Sequence, residues 1–476
     1  MRLVLLLLAA VVFGARSSAQ SLPDLGDTSQ ALFSPAMERQ LGERIMQQVR
    51  ADRSYLDDPI VTDYLNQLGN RLVSVSPDSR QPFEFFLMKD SSVNAFALPG
   101  GFIGVHTGLL LTAQAESELA GVLAHEVSHV TQRHLARMIA TQERNSLLSL
   151  AAMAIGILAA RSNSQLSQAV ISGSQAAVIQ GALDFSRDNE READRIGVQI
   201  MEKAGFDVRA MPIFMERLQR ATRLYDTSAP AYLQTHPITT ERIADLQNRT
   251  ENIAYKQIPD NVDYQFMRAR LRAYADEPRE AMTFFEQGLK ERRFINEAAT
   301  RYGFALALMR AKDYKRAQRE LAILEPIAPA NAAVSVLKGQ LLTATGDTAG
   351  ALRYYPGALA AHPNYRALVY DYADVLIAHR QADAALRVLE KQMVQTPLDA
   401  RLFALQAKAY ASLGQRLLQH KALAESYLRR GYVGAAIEQL QLALRAGDGD
   451  FYQLSATEAR LREIRARLKE VEKRNP

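Results

Sequence analysis

Cysteine and tryptophan are both absent from this chain of 476 residues. Without cysteine the protein has no disulfide, no thiol nucleophile, no cysteine-ligated zinc site and no iron–sulfur cluster. Without tryptophan its means of building an aromatic cage or a membrane-interface belt are limited. An excess of one charge is also missing, because 57 basic and 52 acidic residues leave a net charge of only +5. That balance gives no reason to expect a nucleic acid as the main partner.

What is present points to a folded, exported protein. A hydrophobic fraction of 48% excludes a wholly disordered or collagen-like chain. Residues 1–19 have the features of a secretory signal peptide: Arg2 is positively charged, Leu3 to Phe13 is an unbroken apolar run, and Ser17-Ser18-Ala19 supplies small residues before a cleavage site. The run is shorter than the roughly 20 residues that span a bilayer. The alternative is an N-terminal core helix. We expect cleavage after Ala19 and, since disulfide cysteines are absent, a bacterial periplasm.

The region after the leader has both helical and strand patterns. Ala36 to Val75 has apolar residues at helical spacing, and Phe83 to Met88 predicts a strand. Asn94 to Val105 predicts a hairpin that turns at Pro99-Gly100-Gly101. Glu116 to Thr141 predicts one long helix.

That long helix contains His125-Glu126-Val127-Ser128-His129, an HExxH motif. Positions i and i+4 share one face of a helix, so both imidazoles can reach one cation. Glu126 lies beside that cation and can take a proton from an attacking water. A single HExxH motif is moderately specific, and the alternative is a buried helix with two incidental histidines.

A second acidic motif follows at Glu190 and Asp194, again four residues apart. Glu190 would complete a three-ligand metal site with one open position. Asp194 could accept a hydrogen bond from Nδ1–H of His125 or His129, or help with proton donation. Alone, such a pair would be read as a solvated helix face. Beside HExxH, we interpret it as part of the metal site.

From about Val262 the chain repeats with a period of 34 residues. Small residues allow two helices to approach closely, and a proline ends the second helix of each pair. This resembles tetratricopeptide repeats; the alternative is an ordinary helical bundle. Ala281 and Ala436 fit imperfect outer repeats, an extra helix is expected near Leu402 to Leu413, and Leu461 to Val471 predicts a capping helix. The repeating positions are Ala317, Ala351 and Ala385; Pro329, Pro363 and Pro397; Ala305, Gly339 and Ala373; and Leu321, Tyr355 and Leu389.

Together these motifs resemble the family-48 metallopeptidases, the group of HtpX and the CAAX prenyl proteases. The resemblance covers about Ala36 to Asn248 and includes Thr235-His236-Pro237 followed by Glu241-Arg242-Ile243. It implies one zinc ion per chain, with Glu126 as the catalytic carboxylate and Asp194 as its proton-donating or orienting partner. The implied zinc ligands are His125, His129 and Glu190.

We therefore predict an α+β zincin-like metalloprotease domain of the gluzincin type at residues 20–250, a linker at 251–261 and an all-α tetratricopeptide-repeat solenoid at 262–476. With the leader, the chain resembles the periplasmic proteases that assist outer-membrane β-barrel assembly. The resemblance implies degradation of unfolded or misassembled envelope proteins, assistance to their assembly, and docking on the β-barrel assembly machinery through the repeats. The rival hypothesis is a chaperone or adaptor with a largely silent zinc site.

His236 precedes Pro237 in a loop, which favours an extended, projecting conformation. Its imidazole could donate a hydrogen bond to the oxyanion, or occupy the fourth zinc position and displace the attacking water. We favour the fourth-ligand role, in which His236 closes the site at rest; a loop histidine without a role is the alternative. Arg242 is a candidate for an oxyanion donor or a residue that supports the ligands.

Three further predictions concern the surroundings of the site. His134 lies nine residues after His125, about 180° around a continuous helix, so we expect it at the surface. The apolar segments Leu147 to Ala160 and Ala176 to Leu183 are too short to span a bilayer; they predict a core helix pair, a lid, or an edge that contacts membrane or substrate. An edge strand that pairs with extended substrate is expected at Asn94, Ala95, Phe96 and Ala97.

Overall fold

A computed structural model describes residues 33–78, 80–141, 187–224, 232, 236–255 and 258–474. The leader and the apolar segments Leu147 to Ala160 and Ala176 to Leu183 lie outside the described residues, so the predictions made for them remain predictions. No helix in the described ranges combines the length and the apolar character needed to cross a membrane.

The N-terminal layer consists of two helices, α1 (Pro35–Ala51) and α2 (Pro59–Val73). Both begin for local reasons, because the side chains of Ser34 and Asp58 accept hydrogen bonds from the first-turn amides and a proline occupies each first turn. Their apolar faces are buried against the sheet that follows.

A three-stranded sheet lies beneath these helices, formed by β1 (Glu84–Met88), β2 (Ala95–Leu98) and β3 (Phe102–His106). Strand β3 is central; it pairs with β1 in parallel and with β2 antiparallel, which leaves β2 at an edge. The predicted hairpin is confirmed. Its turn needs glycine, because Gly100 and Gly101 both adopt positive φ, at 78° and 85°.

The predicted single helix over Glu116 to Thr141 is wrong. After α3 (Thr107–Thr112), helix α4 spans Glu116–Thr131 and a separate helix α5 spans His134–Thr141. The break occurs at Arg133, whose φ is 54°. Its guanidinium is held by the Glu38 carboxylate at 2.5 Å, so an ion pair with α1 stabilises the left-handed turn.

Helix α4 is buried along its whole length. Helices α2, α6 (Arg187–Ala204) and α7 (Ala210–Leu224) pack against it, and α8 (Thr240–Glu251) packs against α6 and α7. Helix α6 approaches α4 closely at Gly197. A Cβ there would lie 3.3 Å from the backbone nitrogen of His125, so a larger residue would push the two helices apart. This contact brings the carboxylates of α6 beside the imidazoles of α4.

The remainder of the chain is a series of antiparallel helix pairs with the predicted period. The second helix of each central pair ends two residues before Pro329, Pro363 or Pro397. The ring of Tyr355 fills the space that a side chain at Gly339 would occupy, which explains the small residue at that repeat position. The helices are α9 (Val262–Ala275), α10 (Pro278–Lys290), α11 (Glu297–Arg310), α12 (Tyr314–Ile327), α13 (Ala332–Ala344), α14 (Thr348–Ala361), α15 (Arg366–Ala378), α16 (Ala382–Gln395), α17 (Ala400–Ser412), α18 (Arg416–Arg429), α19 (Val433–Leu444) and α20 (Phe451–Arg474).

The repeats are docked on the sheet-containing region through buried contacts. The buried Tyr264 of α9 donates its hydroxyl to the carbonyl oxygens of Leu110 and Ala113 at the end of α3. Farther along, Arg366 of α15 binds Asp63 of α2, and this pair joins residues 303 positions apart in the chain. One continuous hydrophobic core extends from α2 through α15.

The glycine in α2 provides a test of this packing. A Cβ at Gly69 would overlap the ring of Phe85, so Gly69→Ala should destabilise the protein by about 1–3 kcal/mol. Gly357 is the matched control, since it is exposed within α14 and a Cβ there meets nothing within 4 Å. Gly357→Ala should be neutral or stabilising by about 1 kcal/mol. Thermal unfolding followed by circular dichroism measures both; equal shifts would contradict the packing described for Gly69.

Candidate metal centre

The HExxH histidines occupy successive turns of α4, and both side chains are buried. Their Nε2 atoms lie 2.9 Å apart. Glu190, in the first turn of α6, places one carboxylate oxygen 3.4 Å from Nε2 of His125 and the other 3.3 Å from Nε2 of His129. The structure thus brings together the three residues that the sequence proposes as ligands.

His236 completes the cluster from the loop before α8. Its Nδ1 lies 3.3 Å from Nε2 of His125 and 3.1 Å from a carboxylate oxygen of Glu190. One ligand atom from each of the four residues lies within 4.8 Å of all the others, and all four side chains are buried.

These distances fit a tetrahedral zinc ion. With zinc–nitrogen and zinc–oxygen bonds of about 2.0–2.1 Å, neighbouring ligand atoms should be about 3.3 Å apart. The observed separations of 2.9 to 3.4 Å agree. Imidazole and carboxylate groups are also the donors that zinc accepts when thiolates are absent.

Glu126 lies beside this cluster and is buried. Its Oε1 is 3.4 Å from Nε2 of His236, so one imidazole has a nitrogen toward the metal ligands and a nitrogen toward Glu126. Burial raises the pKa of Glu126, which moves this carboxylate toward the range of a general base. Edge strand β2 packs against α4, which places Ala97 near Glu126 and the metal centre. Asn94 directly precedes that strand.

Oδ1 of Asp194 lies 2.9 Å from Nδ1 of the His125 imidazole. The guanidinium of Arg242 in turn donates to both Asp194 oxygens, each at 2.8 Å. Its Nη1 lies 2.8 Å from Glu190 Oε2 and donates to the Pro237 carbonyl. Because these acceptors engage the guanidinium, the geometry favours a supporting role for Arg242 over an oxyanion donor.

Burial and neighbouring charges shift the pKa values of the site residues in opposite directions. Burial opposes a charge on His125, but the carboxylates of Asp194 and Glu190 raise its pKa to about 10. Burial also opposes ionisation of Glu190, yet His236 and His125 hold its pKa well below the usual range. Burial lowers the pKa of His129 well below its ordinary value. The raised pKa of His125 shows that the buried carboxylates favour a cation beside them.

The prediction that His134 faces the surface is wrong, because it assumed a helix that continues past Arg133. His134 begins α5 and is fully buried, with its Nδ1 2.7 Å from Nδ1 of His129. Its Nε2 lies 3.1 Å from Glu192, which also binds Arg137 at 2.7 Å. Burial lowers the pKa of His134 to about 4. A neutral His134 imidazole can accept a hydrogen bond from Nδ1–H of His129 at its own Nδ1, while its Nε2–H donates a hydrogen bond to Glu192.

The sequence analysis missed His134, Glu192 and Arg137 as parts of the site. Glu192 lies inside the acidic motif, two residues after Glu190, but an i+2 position on a helix points to a different face. Only the break at Arg133 brings these groups together, and no residue type in the sequence marks that break.

A buried HExxH helix, a carboxylate from a second helix and a general base define a zinc metallopeptidase. Peptidase family M48 matches residues 59–250, and a tetratricopeptide repeat matches residues 342–409. The chain belongs to peptidase family M48, in the group of β-barrel assembly-enhancing proteases.

The relatives cover different parts of the chain. The β-barrel assembly-enhancing protease of Escherichia coli (strain K12) is 32% identical over 98% of this chain and 97% of its own length. That of Yersinia pestis is 33% identical over 95% of this chain and 94% of its own. The mitochondrial metalloendopeptidase OMA1 of Schizosaccharomyces pombe is 34% identical over 39% of this chain and 52% of its own length. The protein is accordingly a zinc-dependent metalloendopeptidase with C-terminal repeats.

His134 gives a prediction about zinc affinity. His134→Ala removes the acceptor that orients His129, so the zinc affinity should fall about 10- to 100-fold. His134→Asn retains an acceptor near the Nδ1 position and should recover part of that loss. The dissociation constant is measured by competition with a chelator.

His106 is the matched control, because it is a buried histidine whose Nδ1 lies 2.9 Å from the Ser92 hydroxyl, outside the ligand set. His106→Ala should leave the zinc affinity unchanged even if it lowers the melting temperature. An unaltered dissociation constant in His134→Ala would contradict the orienting contact.

Proposed function

We propose that this protein is a periplasmic zinc endopeptidase that degrades misfolded or stalled outer-membrane β-barrel proteins and assists their assembly. The observation that supports proteolysis most directly is the convergence of four metal-ligating groups beside a buried Glu126. The names of the relatives, which cover nearly the whole chain, support β-barrel assembly as the setting. The export leader at residues 1–19 supports the periplasm.

We propose His125, His129 and Glu190 as the resident zinc ligands. When bound, zinc polarises the scissile carbonyl and acidifies the attacking water. Glu126 accepts the proton of that water and can pass it to the leaving amine. Asp194 holds His125 in one tautomer, and Arg242 supports both carboxylates through hydrogen bonds to Asp194 and an ion pair with Glu190.

Substrate is proposed to bind along edge strand β2 as an additional extended strand. The inner edge of β2 pairs with β3, and its other edge has no partner strand among the described residues. Backbone pairing at Asn94 to Ala97 aligns a chain without demanding particular side chains, which suits a protease that acts on many unfolded proteins. The packing of β2 against α4, with Ala97 near Glu126, supports this position for the scissile amide.

His236 is proposed to close the site at rest. Its Nδ1 lies among the ligand atoms and its Nε2 lies 3.4 Å from Glu126, so the ring occupies the space between the metal ligands and the base. A substrate or partner that moves the loop before α8 would withdraw this imidazole. The same contact supports the rival hypothesis, a chaperone or adaptor whose zinc site is largely silent.

The repeats are proposed to dock the protease on the β-barrel assembly machinery. Stacked helix pairs present an extended surface for protein ligands. Contact with a membrane surface is a further proposal, made for the apolar segment Leu147 to Ala160, outside the described residues.

The first test concerns the general base. Glu126→Gln keeps the shape of the side chain but cannot accept a proton, so hydrolysis of an unfolded β-barrel protein should fall by about 10²- to 10⁴-fold. Zinc content should remain that of the wild type. Glu458→Gln, an exposed acid on α20, is the control and should have normal activity. Normal activity in zinc-loaded Glu126→Gln protein would refute the assigned role.

The second test concerns His236. His236→Ala should increase the basal cleavage of a quenched fluorescent peptide, while X-ray absorption at the zinc edge detects one imidazole fewer. His379→Ala, a histidine at the end of α15, is the control. A decrease of about 10²- to 10³-fold would instead indicate that His236 stabilises the oxyanion. Unchanged turnover and unchanged zinc coordination would contradict both roles.

A further inference from the structure

A groove of about 440 Å³ lies where the first repeat helices meet the sheet-containing region. Helices α9, α10 and α11 form its walls, and Leu111 of α3 contributes to its lining. Its volume is within the range of ligand sites in proteins. None of its lining residues belongs to the metal centre, so its function is separate from the chemistry described above.

Three arginines line this groove, and its lining contains no aspartate or glutamate. Arg268 and Arg272 lie one turn apart on α9, while Arg293 lies in the segment between α10 and α11. Two of them have acidic neighbours outside the lining, Arg272 with Asp276 at 3.6 Å and Arg293 with Glu291. These pairs are solvent-exposed and contribute little, so an incoming carboxylate can replace them.

Arg268 has a donor that its own surroundings leave unused. Its Nη1 donates to Gln265 at 3.0 Å, and its Nη2 donates to the carbonyl oxygen of Leu111 at 3.1 Å. Its Nε is buried and has no hydrogen-bond acceptor in the ranges that the structure describes. A buried donor on a charged group is costly to leave unpaired, and a carboxylate oxygen in the groove would satisfy it.

Apolar side chains lie beside these charges. Phe284 and Ile295 line the same groove and expose 54% and 64% of their surface. The guanidinium of Arg272 lies 5.1 Å from the centre of the Phe284 ring. Single exposed apolar residues are ordinary, but here two occur in one groove with three arginines. The combination complements a ligand with carboxylates and an aromatic side chain close together.

We propose that this groove binds an extended peptide segment in which acidic and aromatic residues are neighbours. Three arginines spread over two walls match several side-chain carboxylates better than the single carboxylate of a chain terminus. The aromatic residue of the peptide packs against Phe284 and Ile295 and removes their surface from water. The groove thus selects among unfolded chains at a distance from the cleavage site.

The test uses the full chain with Glu126→Gln, so that the peptide is not cleaved. A fluorescent peptide with alternating acidic and phenylalanine residues, acetylated and amidated at its ends, is titrated while its anisotropy is recorded. The double substitution Arg272→Ala, Arg293→Ala and the single substitution Phe284→Ala should each weaken binding by about tenfold or more. Arg279→Ala on α10 and Phe451→Ala on α20, neither of which lines the groove, are the matched controls and should bind normally.

Two further peptides distinguish binding through side-chain carboxylates from binding through the carboxylate of a chain terminus. A peptide with asparagine and glutamine in place of the acids should lose binding. The same neutral peptide with a free C-terminal carboxylate should bind no better than the neutral peptide without it. Equal affinity of the acidic, phenylalanine-containing peptide for wild-type and double-arginine proteins of equal melting temperature would overturn the proposal. So would preference for the peptide with only the terminal carboxylate. Since binding is measured without proteolysis, failure here leaves the protease function untouched.

Discussion

The buried guanidinium of Arg242 is the interaction on which the metal centre depends. Asp194 and Glu190 bring two negative charges from α6 into a space closed to solvent, where an unpaired charge is strongly destabilising. Arg242 donates to both oxygens of Asp194, forms an ion pair with Glu190 and donates to the carbonyl oxygen of Pro237. One side chain from α8 therefore fixes the α6 carboxylates and the loop that carries His236. Burial alone would raise the pKa of Asp194, and His125 and Arg242 hold that pKa below its usual value.

The two histidines of the HExxH motif are oriented by different chemistry. His125 faces a carboxylate that is itself neutralised by an arginine, whereas His129 faces a neutral imidazole whose far nitrogen lies beside Glu192. A carboxylate partner makes an imidazole a stronger electron donor than a neutral partner does. If both imidazoles bind zinc as proposed, His125 would therefore be the stronger donor of the two, although the motif is symmetrical in sequence. The difference arises because α6 lies along one side of α4, while α5 begins at its end.

Sequence reasoning predicts the parts of this protein that depend on local spacing. The i, i+4 histidines, the i, i+4 carboxylates, the glycine turn of the hairpin and the period of 34 residues each follow from helix, turn or repeat geometry. It fails where a contact distant in the chain decides the local structure. Arg133 adopts a left-handed conformation in which its guanidinium binds Glu38, 95 positions earlier, and the carbonyl oxygen of Phe33. This turn separates α4 from α5 at the buried His134, and nothing within the motif predicts it.

The position of His236 has a consequence for restraint of the enzyme. The activity of a metallopeptidase can be inhibited by a group that blocks the metal or by a group that blocks the general base. Here the two nitrogens of one imidazole face the two targets, with Nδ1 among the metal ligands and Nε2 toward Glu126. The ring is rigid, so Nδ1 cannot leave its position without Nε2 moving as well. The backbone of His236 is anchored on both sides, because its amide donates to the Tyr232 carbonyl oxygen at 2.8 Å and Arg242 donates to the Pro237 carbonyl oxygen. On the role proposed for His236, a partner that displaced its imidazole would therefore open the fourth ligand position and release the base in a single movement.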